Sequence, residues 1–262
     1  MIRQLSVIVL FLNMFTAYGQ LVPAQNDSIN DSNIEEKGTN DYKFRYKQLI
    51  IPGAFIAYGA IGLNSTWIKS INRDIRSRVR PGIDSRLTID DFSRYVPVAT
   101  VYGLNLAGVQ GKHNFKDRTV IILTSLVLVN VTVASLKEVV HVRRPDGTSN
   151  DSFPSGHTTS AFAGAEFLYQ EYKDVSVWYG IGGYAIAAGT GIFRIYNDRH
   201  WFTDVITGAG IGILGTKAAY WMHPFIQRTL FGSKEKNNTK VSGLILPFYN
   251  GQQVGLAVSA QF

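Results

Sequence analysis

The longest uncharged stretch of the chain limits its fold more than any other feature. Thr119 to Leu136 holds 18 residues without a charged side chain, and Val205 to Tyr220 contains only Lys217. Each stretch approaches the roughly 20 apolar residues that a bilayer-spanning helix needs. Shorter apolar segments alternate with charged connections elsewhere. The six helices predicted in this way are residues 48–68, 95–110, 118–136, 158–170, 176–193 and 202–222.

Glycine recurs inside these segments, and Gly208 and Gly212 share one face of the last helix. Glycine weakens a helix in water, whereas in lipid small side chains allow helices to approach closely. We therefore predict an all-α fold, an antiparallel bundle of about six helical segments that crosses a membrane several times. A soluble bundle with crowded small-residue interfaces is the alternative.

The ends of the chain differ from the helical domain, which we place at residues 42–230. Residues 1–19 resemble a signal peptide, with a positive charge, an apolar core and small residues before a cleavage site; a short membrane anchor is the alternative. Residues 20–41 are polar and predict a flexible segment. After a linker at 231–240, strict alternation and an Asn-Gly turn signal predict a β-hairpin at 241–262, too small to close a barrel.

Composition excludes several kinds of site and partner. The chain has no cysteine, so disulfides and cysteine-ligated metal centres are excluded. Its net charge of +7 suits an anionic membrane or substrate, but the positive charges form no basic arm, and we predict no nucleic-acid partner. Residues 69–94 hold seven lysines and arginines and four aspartates. This segment, outside any bilayer, either attracts anionic head groups or is a solvated surface.

Two cations follow the segment 118–136. Lys137 and Arg144 are separated by six residues, and Pro145 disfavours a helical conformation at Arg144. Cations at such a helix end are commonly interfacial anchors, a role that fits Arg143 better.

Pro154-Ser155-Gly156-His157 precedes the segment 158–170 and therefore stands at a helix start. Free backbone N–H groups make such a start a ready anion site, and Gly156 lets the backbone approach the anion closely. Ser155 either caps the helix or donates its hydroxyl to the anion. A plain cap beside an incidental histidine is the alternative.

A third polar group joins the last two helices. Five residues separate Arg194 from His200, and three separate His200 from Asp204. If the helix begins by His200, this spacing places both side chains on one face, where Asp204 can orient the imidazole. A metal would need further ligands, and His113 and His223 have no recognisable companions. We predict no metal and no other cofactor.

Antiparallel helices bring all three polar groups to the same end of the bundle. Three cations, two imidazoles and a carboxylate are what phosphoryl transfer through a histidine requires. The cations neutralise the phosphoryl oxygens, one imidazole attacks phosphorus, and the other protonates the leaving group.

In this order, Lys-x6-Arg-Pro, Pro-Ser-Gly-His and Arg-x5-His-x3-Asp resemble the motifs of the type 2 phosphatidic acid phosphatase superfamily. That superfamily also includes bacterial class A acid phosphatases and vanadium haloperoxidases. The match covers about residues 118–222. The family usually has serine before the arginine of the third motif, where this chain has Phe193, so one phosphate donor of the family is missing.

The resemblance implies a role for each motif residue. His200 would be the nucleophile that forms a phosphohistidine, with Asp204 orienting it, and His157 would protonate the leaving alkoxide. No metal is implied in the phosphatase branch. The phosphoryl oxygens would be bound by Lys137, Arg144, Ser155, Gly156 and Arg194.

Together these features predict a metal-independent hydrolase of a lipid phosphate or diphosphate. Phosphatidic acid, phosphatidylglycerol phosphate, undecaprenyl diphosphate and the phosphates of lipid A are candidate substrates. A soluble periplasmic acid phosphatase of broad specificity is the first alternative, and a vanadium haloperoxidase is a remote one. A transporter or structural bundle would leave the converging residues unexplained. The motifs specify neither the lipid nor the oligomeric state.

We predict a place in the bacterial inner membrane with the site facing the periplasm. Positive charges near residues 41–48 and 112–118 favour the cytoplasmic side for those connections, which agrees with this orientation. A cleaved signal peptide followed by six crossings would reverse it. Either residues 1–19 are not cleaved, or one of the segments 48–68 and 95–110 does not cross.

Overall fold

A computed structural model of the protein describes residues 45–79, 88–231, 242–249 and 254–261. The predicted signal peptide and polar segment lie outside these residues. So does the predicted linker, apart from Phe231, which ends the last helix.

The described residues form eight α-helices and two strands. A short 3₁₀ turn, Tyr46–Leu49, leads into the first helix. The helices are α1 Ile50–Gly62, α2 Thr66–Val79, α3 Ile89–Ser93, α4 Val96–Leu106, α5 Phe115–Val140, α6 Gly156–Tyr172, α7 Val177–Tyr196 and α8 Phe202–Phe231. The strands β1 Ser242–Tyr249 and β2 Val254–Gln261 pair antiparallel, with Tyr249 opposite Val254.

The helical architecture agrees with the prediction, but the number of helices does not. Six helices fall on the six predicted apolar segments, whereas α2 and α3 come from the charged segment 69–94. The single helix predicted at 48–68 is wrong, because the chain bends by 97° between α1 and α2. Lys69 and three arginines follow the bend and give α2 a polar face that a straight membrane helix would not have.

Two helices, α6 and α8, form the centre of the bundle, and α6 also packs against α4, α5 and α7. The backbones of α6 and α8 touch at the two predicted glycines. A Cβ atom on Gly208 would lie 2.7 Å from the backbone oxygen of Ser155, and one on Gly212 would lie 2.9 Å from the amide nitrogen of Ala163. Close contact, rather than chain flexibility, therefore explains these glycines.

The charged residues inside the apolar segments pair with each other. Lys217 of α8 donates to Glu166 of α6 over 2.6 Å, and Tyr184 of α7 donates to the same carboxylate. Gln170 completes the set with a 2.5 Å hydrogen bond to Glu166. Buried charges are tolerated when they are paired in this way.

One described helix, α5, is long and apolar enough to cross a membrane. The bent pair of α1 and α2 would be a second only if it were counted as one span. Apolar side chains follow one outer face of α5 at multiples of four residues, between 51% and 79% exposed. These are Leu123, Val127, Val131 and Val139.

Candidate active site

The cations of the first motif meet at a carboxylate that sequence reasoning missed. Arg144 donates from Nε and Nη2 to the two carboxylate oxygens of Asp151, over 2.9 and 3.1 Å. Lys137, in the last turn of α5, donates to the backbone oxygen of the same residue. Asp151 thus holds both cations in one place, although nothing in its sequence context marked it.

The charge of Asp151 is stable near neutral pH. Burial acts to raise the pKa of its carboxyl group, but the hydrogen bond from Ser149 and the cations Arg144 and Lys137 outweigh it and hold the pKa below the usual range. The loop between α5 and α6 therefore carries an ionised carboxylate between two cations.

The second motif begins α6. Ser155 is the N-cap, fully buried, and its hydroxyl lies 2.9 Å from that of Thr158. Capping is thus the role that the structure gives this side chain, one of the two predicted alternatives. A Cβ atom on Gly156 would lie 3.7 Å from Val133, an ordinary contact, so packing within the protein does not require glycine there. Close approach of an anion to Gly156 stays a prediction.

His157 points to α3 and not to another motif residue. Its Nε2 lies 2.7 Å from Oδ1 of Asp91, a carboxylate with half of its side chain exposed. The neighbouring Asp90 is 1% exposed and accepts from Nη1 of Arg194 over 2.5 Å. Nε of Arg194 is buried and has no hydrogen-bond partner among the described residues. Asp91 therefore contacts the second motif, and the neighbouring Asp90 contacts the third. In the sequence, these residues are marked only by being two adjacent aspartates.

The structure corrects the predicted placement of His200. Helix α8 begins at Phe202, so His200 lies in the preceding loop and shares no helix face with Asp204. Its Nδ1 lies 2.8 Å from the backbone oxygen of Ser152 and 3.6 Å from Oδ2 of Asp204, too far for a hydrogen bond. A neutral imidazole that donates from Nδ1 carries its lone pair on Nε2.

Asp204 acts on its surroundings through three hydrogen bonds. Its Oδ2 accepts from the hydroxyl of Ser152 over 2.5 Å and from the amide of Trp201 over 2.9 Å. Its backbone oxygen accepts from the amide of Ser155 over 3.1 Å. These bonds join the loop before α6 to the start of α8, so the three motifs meet at one end of the bundle, as the helix order predicted.

The same segment of the chain matches a known family. The model of the PAP2 superfamily matches residues 118–228. This segment is similar to the PAP2 superfamily. The resemblance predicted from the three motifs is therefore confirmed.

One curated relative and two solved structures match the chain at sequence identities between 21% and 36%. The chain is 36% identical over 158 residues to the lipid A 1-phosphatase of Porphyromonas gingivalis. The aligned residues make up 60% of this chain and 36% of that protein. The transmembrane PAP2 type phosphatidylglycerolphosphate phosphatase of Bacillus subtilis shares the fold with a TM-score of 0.50 and 21% identity, over 73% of this chain and 100% of that one. Aquifex aeolicus LpxE matches with a TM-score of 0.38 and 21% identity, over 64% and 92% of the two chains.

Burial sets the protonation state of His200. Loss of solvent lowers the pKa of His200, and the cations Arg194 and Lys137 act in the same direction, against the opposing effect of Asp204. The imidazole is therefore neutral near pH 7, the form that can act as a nucleophile.

Among the described residues, one group of acidic and histidine side chains is close enough to hold a metal ion. It consists of Asp90, Asp91 and His157. Arg194 already gives Asp90 a cation at 2.5 Å, which competes with a metal for that carboxylate. The absence of a metal from the mechanism stays a prediction.

The two histidines without recognisable companions do have partners. His113 lies 2.7 Å from Glu171, which also accepts from Tyr220, and the ring of His223 is 5.8 Å from that of His113. This cluster joins the residues before α5 to α6 and α8 at the ends opposite the motifs. No local sequence pattern marks this cluster, because its members are far apart along the chain.

Proposed function

We propose that this PAP2 domain hydrolyses a lipid phosphate or diphosphate through a phosphohistidine on His200. The contact between Nδ1 of His200 and the backbone oxygen of Ser152 carries the proposal, because it leaves Nε2 as the nucleophilic atom. Lys137, Arg144 and Arg194 stand at the same end of the bundle and supply the positive charge that a transferring phosphoryl group needs.

The reaction has two steps. Nε2 of His200 attacks phosphorus, and the bond to the leaving oxygen breaks as His157 gives that oxygen a proton. Water then attacks phosphorus while His157 takes one of its protons, and cleavage of the phosphorus–nitrogen bond releases phosphate and restores His200. Asp204, 3.6 Å from Nδ1, stabilises the positive charge on the phosphorylated ring. The amide of Gly156, at the start of α6, binds a phosphoryl oxygen, whereas the amide of Ser155 already donates to the backbone oxygen of Asp204.

A lipid is the substrate class that the outer surface and the relatives support. The exposed apolar face of α5 fits a bilayer. Two of the similar proteins are a lipid A 1-phosphatase and a phosphatidylglycerolphosphate phosphatase. Phosphatidic acid and undecaprenyl diphosphate remain candidates with the same chemistry. We place the enzyme in the bacterial inner membrane with its site toward the periplasm, without a metal.

The test is phosphate release by the purified, detergent-solubilised protein from these four lipids, with EDTA present. Removing the nucleophile in His200→Ala is expected to lower kcat by at least about 1,000-fold. His141→Asn is the matched control, because His141 is exposed, has φ of 50° at the end of α5, and asparagine tolerates that conformation. Trapping of a radiolabelled, acid-labile phosphoenzyme in the wild type would identify the intermediate.

Three results would contradict the proposal. Wild-type activity in His200→Ala would rule out His200 as the nucleophile. Equal turnover of water-soluble phosphate esters without detergent would favour the acid phosphatase alternative. Halide oxidation that depends on added vanadate would favour the haloperoxidase.

A further inference from the structure

A cavity of about 370 Å³ lies beside the proposed site, between α2 and the start of α8. Lys69 and Arg73 of α2 line one side, and Trp201 and Asp204 line the other. Trp201 follows the nucleophile His200 directly in the chain. The cavity is thus a neighbour of the catalytic groups, and its volume is in the range of small-molecule binding sites.

The cavity is held open by contacts between its two sides. Arg76 of α2 donates to both carboxylate oxygens of Asp198, over 2.8 and 2.7 Å. Asn72 donates to the hydroxyl of Thr203 over 3.0 Å and accepts from the amide of Thr203 over 3.2 Å. These four hydrogen bonds fix α2 against the loop that contains His200 and against the start of α8, so the cavity is part of the folded protein itself.

The charge on its walls is positive. Arg76 is neutralised by Asp198, but Lys69 and Arg73 make no ion pair with any residue that the structure describes. Asp204, the acidic residue in the wall, accepts hydrogen bonds from the hydroxyl of Ser152 and the amide of Trp201. Two uncompensated cations at the edge of a preformed cavity favour an anionic ligand.

We propose that this cavity binds a second phosphate monoester on the lipid head group, one that the enzyme does not cleave. The inference rests on the proposed phosphatase function and names its substrate class: lipids whose head group carries two separate phosphates. One phosphate lies at His200 while the other is held by Lys69 and Arg73. Free phosphate has the same chemistry and is the other possible source of the anion.

The test compares a double variant, Lys69→Ala with Arg73→Ala, on two substrates. Bis-phosphorylated lipid A carries the second phosphate, and phosphatidic acid does not. We expect the KM for lipid A to rise about tenfold, as the loss of two charge contacts from exposed side chains implies, with kcat within about twofold of wild type. The KM for phosphatidic acid is expected to stay unchanged.

A second double variant, Lys47→Ala with Arg78→Ala, is the matched control. It removes the same charge from exposed residues that do not line the cavity. An equal rise of KM in this control, or an equal rise for both lipids, would mean general attraction of anions and would overturn the proposal.

Two further outcomes separate the sources of the anion and the underlying function. Weaker inhibition by inorganic phosphate in the Lys69 and Arg73 variant, with an unchanged KM for lipid A, would assign the cavity to free phosphate and overturn the head-group proposal. Hydrolysis of phosphatidic acid but not of lipid A by the wild type would overturn it while the phosphatase function stands. Hydrolysis of neither lipid nor of any other candidate would overturn both.

Discussion

Nδ1 of His200 lies 2.8 Å from the backbone oxygen of Ser152. The partner that orients the proposed nucleophile is thus a main-chain group, which no side-chain substitution removes. The hydroxyl of Ser152 in turn donates to Asp204 over 2.5 Å. Ser152 therefore connects the carboxylate to the histidine, through its side chain on one side and its backbone on the other.

The substitution Ser152→Ala tests this connection. It leaves the backbone oxygen in place but removes a hydrogen bond to a buried carboxylate, so we expect kcat to fall about tenfold with little change in KM. Steady-state phosphate release measures the effect. Ser70→Ala is the control, because the Ser70 hydroxyl is exposed and bonds only within α2. An unchanged kcat in Ser152→Ala would show that Asp204 does not act through Ser152.

The pH dependence of the reaction reports the protonation of His200. In the proposed mechanism only the neutral imidazole attacks phosphorus, and burial lowers the pKa of His200. Activity is therefore retained as the pH falls below about 6.5, the ordinary value for histidine, and is lost only below the lowered pKa. The measurement is kcat/KM against pH for a monoester and a diphosphate, since a limb shared by both belongs to the enzyme. A shared acid limb at or above the ordinary value would contradict this expectation.

Asp91→Asn tests the carboxylate beside His157. Burial and the cations Arg194 and Arg94 lower the pKa of His157 to about 4, and the contact of 2.7 Å with Asp91 opposes them by favouring the protonated imidazole, the form that donates to the leaving group. Without the charge of Asp91 we expect the alkaline limb of kcat/KM to move to lower pH by about one unit, because a nearby opposite charge shifts the pKa of a histidine by about this amount. Asp74→Asn, on the exposed surface of α2, is the control. An alkaline limb that stays in place would mean that Asp91 only anchors α3.

Gly212→Ala tests the backbone contact between α6 and α8. The added Cβ would meet the backbone of Thr159 and Ala163, which cannot move aside, so we expect a loss of about 1–3 kcal/mol in the free energy of unfolding. Thermal unfolding in detergent measures it. Gly182→Ala is the matched control, since a Cβ there meets nothing within 4 Å. Equal stability of the two variants would rule out tight packing at Gly212.

Much of the fold followed from local patterns. Uncharged stretches such as Thr119 to Leu136 gave the positions of helices, and the order of helices gave the meeting of the three motifs. Local patterns do not mark the helix ends in the same way. The bend after Gly62 has no proline to mark it, and the start of α8 at Phe202 moved His200 off the helix on which its predicted pairing with Asp204 depended.

The carboxylates that hold the motif cations and His157 could not be predicted in the same way. Asp90 and Arg194 are 104 positions apart, and Asp91 and His157 are 66 apart. Such pairs depend on how α3 packs against the bundle, which no local pattern contains. Asp151 lies nearer to Arg144, seven positions away, but loop geometry rather than helical periodicity brings them together.

Asp90 and Asp91 lie on the N-terminal side of the segment that matches the PAP2 superfamily, outside residues 118–228. A fragment cut to the family boundaries would keep every motif residue and still lose the counter-ion of Arg194 and the partner of His157. The segment that matches the family therefore lacks two carboxylates of the proposed catalytic site. Residues that precede this segment along the chain supply the negative charges that face Arg194 and His157.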